Sequence, residues 1–350
     1  MGADVDQRAH GGRARISDVA RVAGVSPTTV SHALSGARSV NAQTRERILV
    51  VARELGYAPD RVASGLRRQR TGIVGFIGDH VATTPFAGRI IAGARAAGLE
   101  RDVLLLVVET EGDEAEESAL VDRMLAQRVD GLLLARNYNQ RIARPRLSAD
   151  VPIVLIDAAP DPGWHVDAVV PDEAQIAALA CEVPLRLGHR EIAYATTNDD
   201  SRASRGRALA VRTILGDAGV ALPDDRIVHV ASDAAGGREA GARLLDRADR
   251  PTAVVCFNDQ IAMGVMQAAG RLGLRVPEDV SIVGIDDLFP VADALDPGLT
   301  TVALPHEQMG RWGMERLLDR IDGATDERPG RVHQLPGRLV ERASVAPPTR

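Results

Sequence analysis

Polar side chains spaced for contact with another molecule concentrate near the start of the chain, in Ile16–Leu34, ISDVARVAGVSPTTVSHAL. Ser17, Ser26, Thr28, Thr29, Ser31 and His32 carry hydroxyl and imidazole groups of the kind that bond to phosphates and base edges. The residues between them set how they are presented. The pattern predicts a first short helix capped by Ser17, with Val19, Ala20 and Ala23 on its apolar face. Gly24 supplies a turn, because it tolerates positive φ without a Cβ clash. Ser26 then caps a second helix and Pro27 takes its first position, where a missing N–H is harmless. Val25, Val30 and Ala33 face inward; Thr28, Thr29, Ser31 and His32 face out. Such a pair is either an αα-corner in a helical domain or a helix-turn-helix whose second helix enters a major groove.

The rest of the chain offers little that could catalyse. Asp286–Asp287 is the one paired carboxylate at the end of a predicted strand, and adjacent strand residues point to opposite faces. The two acids are badly placed to share a metal or to act as acid and base; one cleft-facing acceptor beside one structural cap is the better reading. No G-x-G-x-x-G follows a first strand, and G-x-x-x-x-G-K-S/T, G-x-S-x-G and H-E-x-x-H are absent. Cys181 and Cys256 stand far apart without metal-ligand spacing and read as two small buried residues. Neither a metal nor a cofactor is expected, and the residues do not favour an enzyme.

The elements that must position these groups fit in 350 residues, enough for two or three domains with real cores. Aromatics make up only 3%, so those cores must be built from Leu, Val, Ile and Ala. No 18-residue apolar window and no signal-peptide pattern appears, which predicts a cytoplasmic protein without membrane contact. All 42 basic side chains are Arg, a bias that reads as genomic base composition. Residues 1–70 hold 12 Arg against 6 acids, net +6, and the remainder holds 30 against 42, net −12. A basic head on an acidic body fits nucleic-acid binding by the head alone.

Residues 1–14 read as a disordered leader and 15–59 as the helical head. Asn41 caps a predicted third helix over Ala42–Leu55, with Ile48, Leu49, Val51, Ala52 and Leu55 supplying apolar faces, and Gly56 stops it. Asp60–Leu66 is too short for a stable isolated helix, and Arg67, Arg68 and Arg70 follow. The segment 60–70 is either a hinge that folds on DNA or a charged linker.

From residue 71 to 350 short apolar runs alternate with helical patterns. Strands are predicted at Gly72–Ile77, Val103–Val108, Gly131–Ala135, Val151–Ile156, Glu191–Thr196, Ile227–Val230, Ala253–Phe257 and Ser281–Ile285. Helices fall near 86–100, 114–127, 173–187, 203–218, 237–246 and 260–272. This βαβα order predicts an α/β core of two parallel sheets flanked by helices, with a ligand site in the cleft between two lobes.

The head, with D-V-A-x-x-A-G-V-S-x-x-T-V-S, R-E-x-I…A-x-E-L-G-Y and the hinge A-x-x-L, resembles the lactose-repressor (LacI/GalR) family. The resemblance implies that Pro27, Thr28 and His32 read bases; His32 stands where most members carry Arg. It also implies that two hinge helices of a dimer enter the minor groove, with Leu66 as the wedge that opens a base step. The DNA-facing set expected from head and hinge is Ser17, Ser26, Pro27, Thr28, Thr29, Ser31, His32, Asn41, Thr44, Ala63 and Leu66. Gly65 is a poor helix former in that hinge, by about 1 kcal/mol against Ala.

The body is similar to the periplasmic-binding-protein-like core of the same family. The carriers are TTPFAGRIIAG at 83–93, RVDGLLL at 128–134, VPIVLID at 151–157, LGHREIAY at 187–194, FNDQIAMGVMQAAGRLGLRVPEDVSIVGIDD at 257–287 and LTTV at 299–302. The resemblance implies three crossings between lobes. Lobe 1 is expected at about 71–168 plus 303–325 and lobe 2 at about 169–300 plus 328–345, with Leu304–Asp322 returning to the first and Val332–Glu341 to the second. The effector-contacting residues it implies are Asp157, Arg205, Asn258, Asp286, Phe86 and Thr84, and Trp164 is added for its aromatic side chain. Thr84 stands where Asn is usual, and Ala210 replaces the Gly of the R-x-x-G helix assigned to Arg205. Tyr138 and Asn137, after the third strand, belong at the same mouth. Two acids, an Arg and an Asn suit a polyhydroxylated ligand, and Phe86 and Trp164 suit the apolar face of a sugar.

The resemblance implies a homodimeric transcriptional regulator, a repressor in the leading form, that binds a pseudo-palindromic double-stranded operator. A small effector, expected to be a sugar or sugar derivative, controls it. A nucleobase effector is the alternative; a cytosolic sugar-binding protein or enzyme is the more distant one. The terminal ASVAPPTR lacks a leucine heptad, so a dimer is expected over a tetramer.

Overall fold

The computed structural model describes residues 14–35, 38–57, 70–80, 84, 87–110, 112, 114–323 and 330–349. The chain divides into two compact units, Met1–Thr71 and Gly72–Arg350. The first holds α1 (Ile16–Ala23), α2 (Pro27–Ser35) and α3 (Ala42–Glu54). Gly24 adopts φ 65° and ends α1, and Ser26 Oγ accepts the Thr29 N–H at 3.1 Å to start α2. Asn41 Oδ1 accepts the Gln43 N–H at 3.0 Å and starts α3. The cap of α1 differs from the expected one. Arg15 occupies that position, and Asp18 answers its backbone N–H at 2.9 Å, which leaves Ser17 inside the first turn and exposed. Val19, Ala20, Ala23, Val30, Ala33, Ile48, Val51 and Ala52 form the core. Leu49 and Leu55 stay largely exposed, because Ile48, Val51 and Ala52 alone fill the single apolar stripe of α3.

The second unit contains two six-stranded sheets. β1 (Ile73–Asp79), β2 (Leu104–Thr110), β3 (Gly131–Ile142), β4 (Ile153–Pro160), β5 (Asp167–Pro171) and β11 (Val332–Leu335) form the first, in the order β2-β1-β3-β4-β5-β11 and all parallel. The second runs β7-β6-β8-β9-β10-β12, from β6 (Ile192–Thr197), β7 (Ile227–Val230), β8 (Ala253–Cys256), β9 (Ser281–Asp286), β10 (Thr300–Ala303) and an antiparallel β12 (Arg338–Val340). Both faces of each sheet are buried, so the inner strands read as continuous apolar runs. Leu133, Phe76 and Ile156 face α4 (Ala87–Glu100) and α10 (His306–Ile321), while Leu132, Leu134 and Leu155 face α5 (Glu114–Ala126). In the second lobe α6 (Glu173–Arg186) and α7 (Arg202–Asp217) cover one face, α8 (Ala234–Leu245) and α9 (Asp259–Arg271) the other.

The chain passes between lobes after β5, after β10 and between β11 and β12. Two expected boundaries shift. The first lobe extends through Pro171, and Val332–Leu335 stays in that lobe; only Arg338–Val340 joins the second. The cause is the open edge of β5, which pairs with β11 in register Val332↔Ala168, while His333 stacks on Trp312 of α10 at 5.2 Å.

α4 and α10 cross where Gly93 meets the Glu307 backbone and Gly310 meets the Ile90 backbone, and a Cβ at either would collide with a carbonyl. Gly310→Ala is therefore expected to lower unfolding stability by about 2–3 kcal/mol. Gly88→Ala, on the open side of α4 with nothing near its Cβ position, leaves it unchanged or raises it by up to about 1 kcal/mol. Denaturant melts of the two variants check this, and equal midpoints would remove the close crossing as a constraint.

Candidate functional site

Between the lobes lies a narrow cleft lined by Tyr138, Asp157, Pro171, Glu173, Arg207, Asp286, Leu304 and His306. Strained backbone builds its walls. The β3–β4 register shifts between Ala135 and Gln140, and within that bulge Tyr138 and Asn139 take φ of 60° and 53°. The bulge carries Tyr138 to the second lobe, where its hydroxyl lies 3.4 Å from Ser232 Oγ and its ring 5.7 Å from that of Phe257. Asp157, at φ 51°, accepts the Asn139 N–H at 3.1 Å. Asp286 and Asp287 follow at φ 126° and 52°. Non-glycine residues in this region cost about 1–3 kcal/mol each and gather at functional sites.

The charges are buried and unequal. Arg207, on α7, donates Nε to Glu173 Oε2 at 2.6 Å and Nη1 to the Phe257 carbonyl at 2.8 Å, and its guanidinium sits 4.6 Å over the Phe257 ring. Glu173 Oε1 is buried and has no hydrogen-bond partner among the described residues. Burial, then the Glu173 charge, pushes the Asp157 carboxyl up to about 7 against the pull of Arg207. Burial and the neighbouring Asp259 raise Asp286 well above the usual carboxylate range. Burial drives the His306 imidazole down to about 3, so it is neutral at physiological pH. Asp287 instead pairs with Arg342 at 2.7 Å, and Asp259 braces the same loop by accepting the Leu288 N–H at 2.7 Å and the Thr301 hydroxyl at 2.5 Å.

Of the residues singled out in the sequence, Asp157 and Asp286 line the cleft. Arg205 does not: it is exposed and pairs with Asp200 at 2.6 Å. Two residues along a helix is a turn of about 200°, so Arg207 points inward where Arg205 points out. The signal was present, since Arg207-x-x-Ala210 has the R-x-x-G spacing. Asn258 is buried as the cap of α9, its Oδ1 accepting the Ile261 N–H and its Nδ2 donating to Ser232 Oγ, each at 2.8 Å. It therefore supports the Tyr138 contact from behind. Trp164 lies in a separate depression of the first lobe beside Arg144, Asp150 and Arg320, near the amino ends of β4 and β5. Thr84 closes a local turn, its hydroxyl donating to the His80 carbonyl at 2.9 Å. Phe86 lies outside the described residues. Glu173 and His306 were missed; each opens a helix just after a crossing, a position that only the lobe assignment reveals.

In the head Ser26, Pro27 and Thr28 are exposed at the start of α2, and Thr29, Ser31 and His32 are half-buried. Asn41 is exposed at the start of α3, and Thr44 is half-buried one turn on. Ala63 and Leu66 lie outside the described residues. Among the described residues no group of His, Cys, Asp and Glu has the geometry to hold a metal, and no helix is long and apolar enough to cross a membrane.

The raised Asp157 sets a pH dependence. Between about pH 4 and pH 7 the unfolded chain releases this proton while the folded chain keeps it, so this group subtracts stability as pH rises through that window. Asp157→Asn, which can still accept from Asn139, should melt higher relative to the parent at pH 8 than at pH 5. A difference in Tm that does not change with pH would show that the carboxyl is not protonated in the fold.

Family models for bacterial regulatory proteins of the lacI family and for a periplasmic binding protein-like domain match residues 15–60 and 184–345. The ribose operon repressor of Haemophilus influenzae is 32% identical over 88% of this chain and 92% of its own length. The HTH-type transcriptional repressor PurR of Erwinia tasmaniensis is 32% identical over 95% of this chain and 97% of its own. The lac repressor dimer bound to operator and the anti-inducer ONPF superposes with a TM-score of 0.77 at 26% identity, covering 96% of this chain and all of that one. With its helix-turn-helix, its two-lobed core and this likeness along nearly its whole length, the chain belongs to the LacI family of bacterial regulatory proteins.

Proposed function

We propose that the protein is a cytoplasmic, homodimeric transcriptional repressor whose affinity for operator DNA is set by a small effector held between the two lobes of its core. One observation carries this reading. A single chain joins a helix-turn-helix with exposed hydroxyls at the start of its second helix to a cleft where Asp157, Glu173, Arg207 and Asp286 are buried together. Two heads related by a dimer axis read half-sites about one helical turn apart, with Pro27, Thr28 and His32 toward the bases. Ser17, Ser26, Thr29, Ser31, Asn41 and Thr44 serve the backbone, and Ala63 and Leu66 act in the hinge. The effector acts through its different affinities for the operator-competent and incompetent arrangements. A sugar or sugar derivative is the effector class we favour, because Asp157, Glu173 and Asp286 present acceptors to ring hydroxyls while Pro171, Leu304 and Tyr138 supply apolar walls.

Leu66→Ala is expected to weaken binding to the cognate operator by about tenfold or more, the scale of losing one unstacking wedge, while ligand-induced thermal shifts persist. Unchanged operator affinity in a fluorescence-anisotropy titration would remove Leu66 from the hinge role. Asp286→Ala should retain operator binding and lose the effector response in the same titration. A response of parental size would move the effector site elsewhere.

A further inference from the structure

Three carboxyls share the cleft with one guanidinium, and that ratio decides what each acid can do. Asp157, Glu173 and Asp286 line it together and are all buried. Among the residues lining it Arg207 is the one cation, since burial holds His306 neutral. Arg207 is committed: Nε donates to Glu173 Oε2 at 2.6 Å and Nη1 to the Phe257 carbonyl at 2.8 Å. Glu173 and Arg207 therefore form a balanced pair. Asp157 and Asp286 stand outside it, and each meets Glu173 as a like charge. Asp259 opposes a charge on Asp286 from behind, and its own oxygens are taken by the Leu288 N–H and the Thr301 hydroxyl. Acids crowded into a closed site around one engaged cation keep their protons, in accord with the raised Asp157 and Asp286 carboxyls. A carboxylate only accepts hydrogen bonds, whereas a protonated carboxyl offers one donor beside its acceptor.

We propose, building on the effector reading above, that the cleft takes an uncharged sugar, to which Asp157 and Asp286 each donate a hydrogen bond through a carboxylic O–H. The ring and hydroxyl oxygens of a sugar accept those bonds. Its hydroxyl protons serve Glu173 Oε1, which has no hydrogen-bond partner among the described residues. A sugar phosphate brings an anion whose one counter-ion is already held by Glu173, and a buried charge without a partner is costly. An ammonium gains a counter-charge only by taking the proton from one of the acids, which forfeits the donor. The two acids thus act as hydrogen-bonding groups and not as charges.

The test uses the full-length protein at about pH 6, below the point where Asp157 releases its proton. The probes are matched triplets, each a neutral hexose or pentose, its amino-deoxy counterpart and its phosphate. Thermal shift is measured first, then calorimetric titration, with operator binding followed in parallel. A neutral member is expected to bind about tenfold or more tighter than its phosphate and no weaker than its amino counterpart. Asp157→Ala and Asp286→Ala should each weaken it by about tenfold or more, the loss of one buried hydrogen bond. Asp157→Asn and Asp286→Asn should restore it to within about threefold. An amide keeps one group that donates and one that accepts, and Asn tolerates the positive φ of both positions. Where an Ala variant fails to fold, the Asn variants and the triplets decide. Asn variants that lose the neutral sugar by tenfold or more show that the acids bind as carboxylates and overturn the proposal. An amino or phosphorylated member binding best, or no neutral member binding, overturns it as well. If a charged sugar binds best and alters operator affinity, the repressor reading stands while this inference falls. If the full chain binds no operator, the repressor reading itself fails.

Discussion

The Glu173–Arg207 pair ties the cleft to the fold. Glu173 opens α6 immediately after the first crossing between lobes, and Arg207 reaches it from the second turn of α7. Both side chains are almost fully buried, so neither tolerates loss of the other: an uncompensated charge in such a place costs about 3–5 kcal/mol. The pair fixes α6 against α7, and α7 carries its guanidinium onto Phe257, at the end of β8. Phe257 in turn receives the ring of Tyr138 from the other lobe. One ion pair thus anchors a chain of contacts, from the crossing through the second lobe and back to the first.

That chain ends on strained backbone. Tyr138 and Asn139 hold left-handed φ in the β3 bulge, and Asp157, whose carboxyl oxygen accepts the Asn139 N–H, is itself left-handed. Strain of this kind persists only where surrounding contacts over-determine it. Here those contacts come from both lobes: Ser232 and Asn258 on one side, Asp157 on the other. The Tyr138 hydroxyl and ring thus tie the bulge to the second lobe through Ser232 and Phe257.

How much of this was legible follows from what each feature depends on. The inner strands, such as Gly131–Ala135 and Ser281–Ile285, are buried on both faces and show in the sequence as apolar runs. Asp167–Pro171, Thr300–Ala303, Val332–Leu335 and Arg338–Val340 are edge or crossing strands of three to five residues, held by pairing partners distant in sequence. No local pattern marks them, so the sequence alone does not show that the last return to the second lobe begins only at Arg338. Gly24, Ser26 and Asn41 were legible because turns and caps are local chemistry. Ser17 failed because Arg15 and Asp18 form an alternative cap that uses a backbone N–H. Arg205 and Arg207 differ by two positions on one helix, and only the R-x-x-G spacing separates them. Trp164 was assigned by side-chain type and proves to belong to another part of its lobe.

The two units share a physical logic. Among the described residues the head rests on eight buried side chains, all Ala, Val or Ile, and a three-helix domain with so small a core is marginally stable alone. Anything that binds its folded form stabilises it by mass action, so the operator contributes to the stability of the module that reads it. The core presents the complementary case. Its sheets are well packed, but the cleft holds two acids that burial raises, Asp157 to about 7 and Asp286 well above the usual carboxylate range, and among the described residues Glu173 Oε1 has no hydrogen-bond partner. These groups lower the stability of the empty fold, and a ligand that satisfies them restores it. Each ligand thus acts on a part of the protein whose folded form is weakest without it. A few kcal/mol at either place then suffices to change which state is populated, since each 1.4 kcal/mol is about a tenfold shift in an equilibrium.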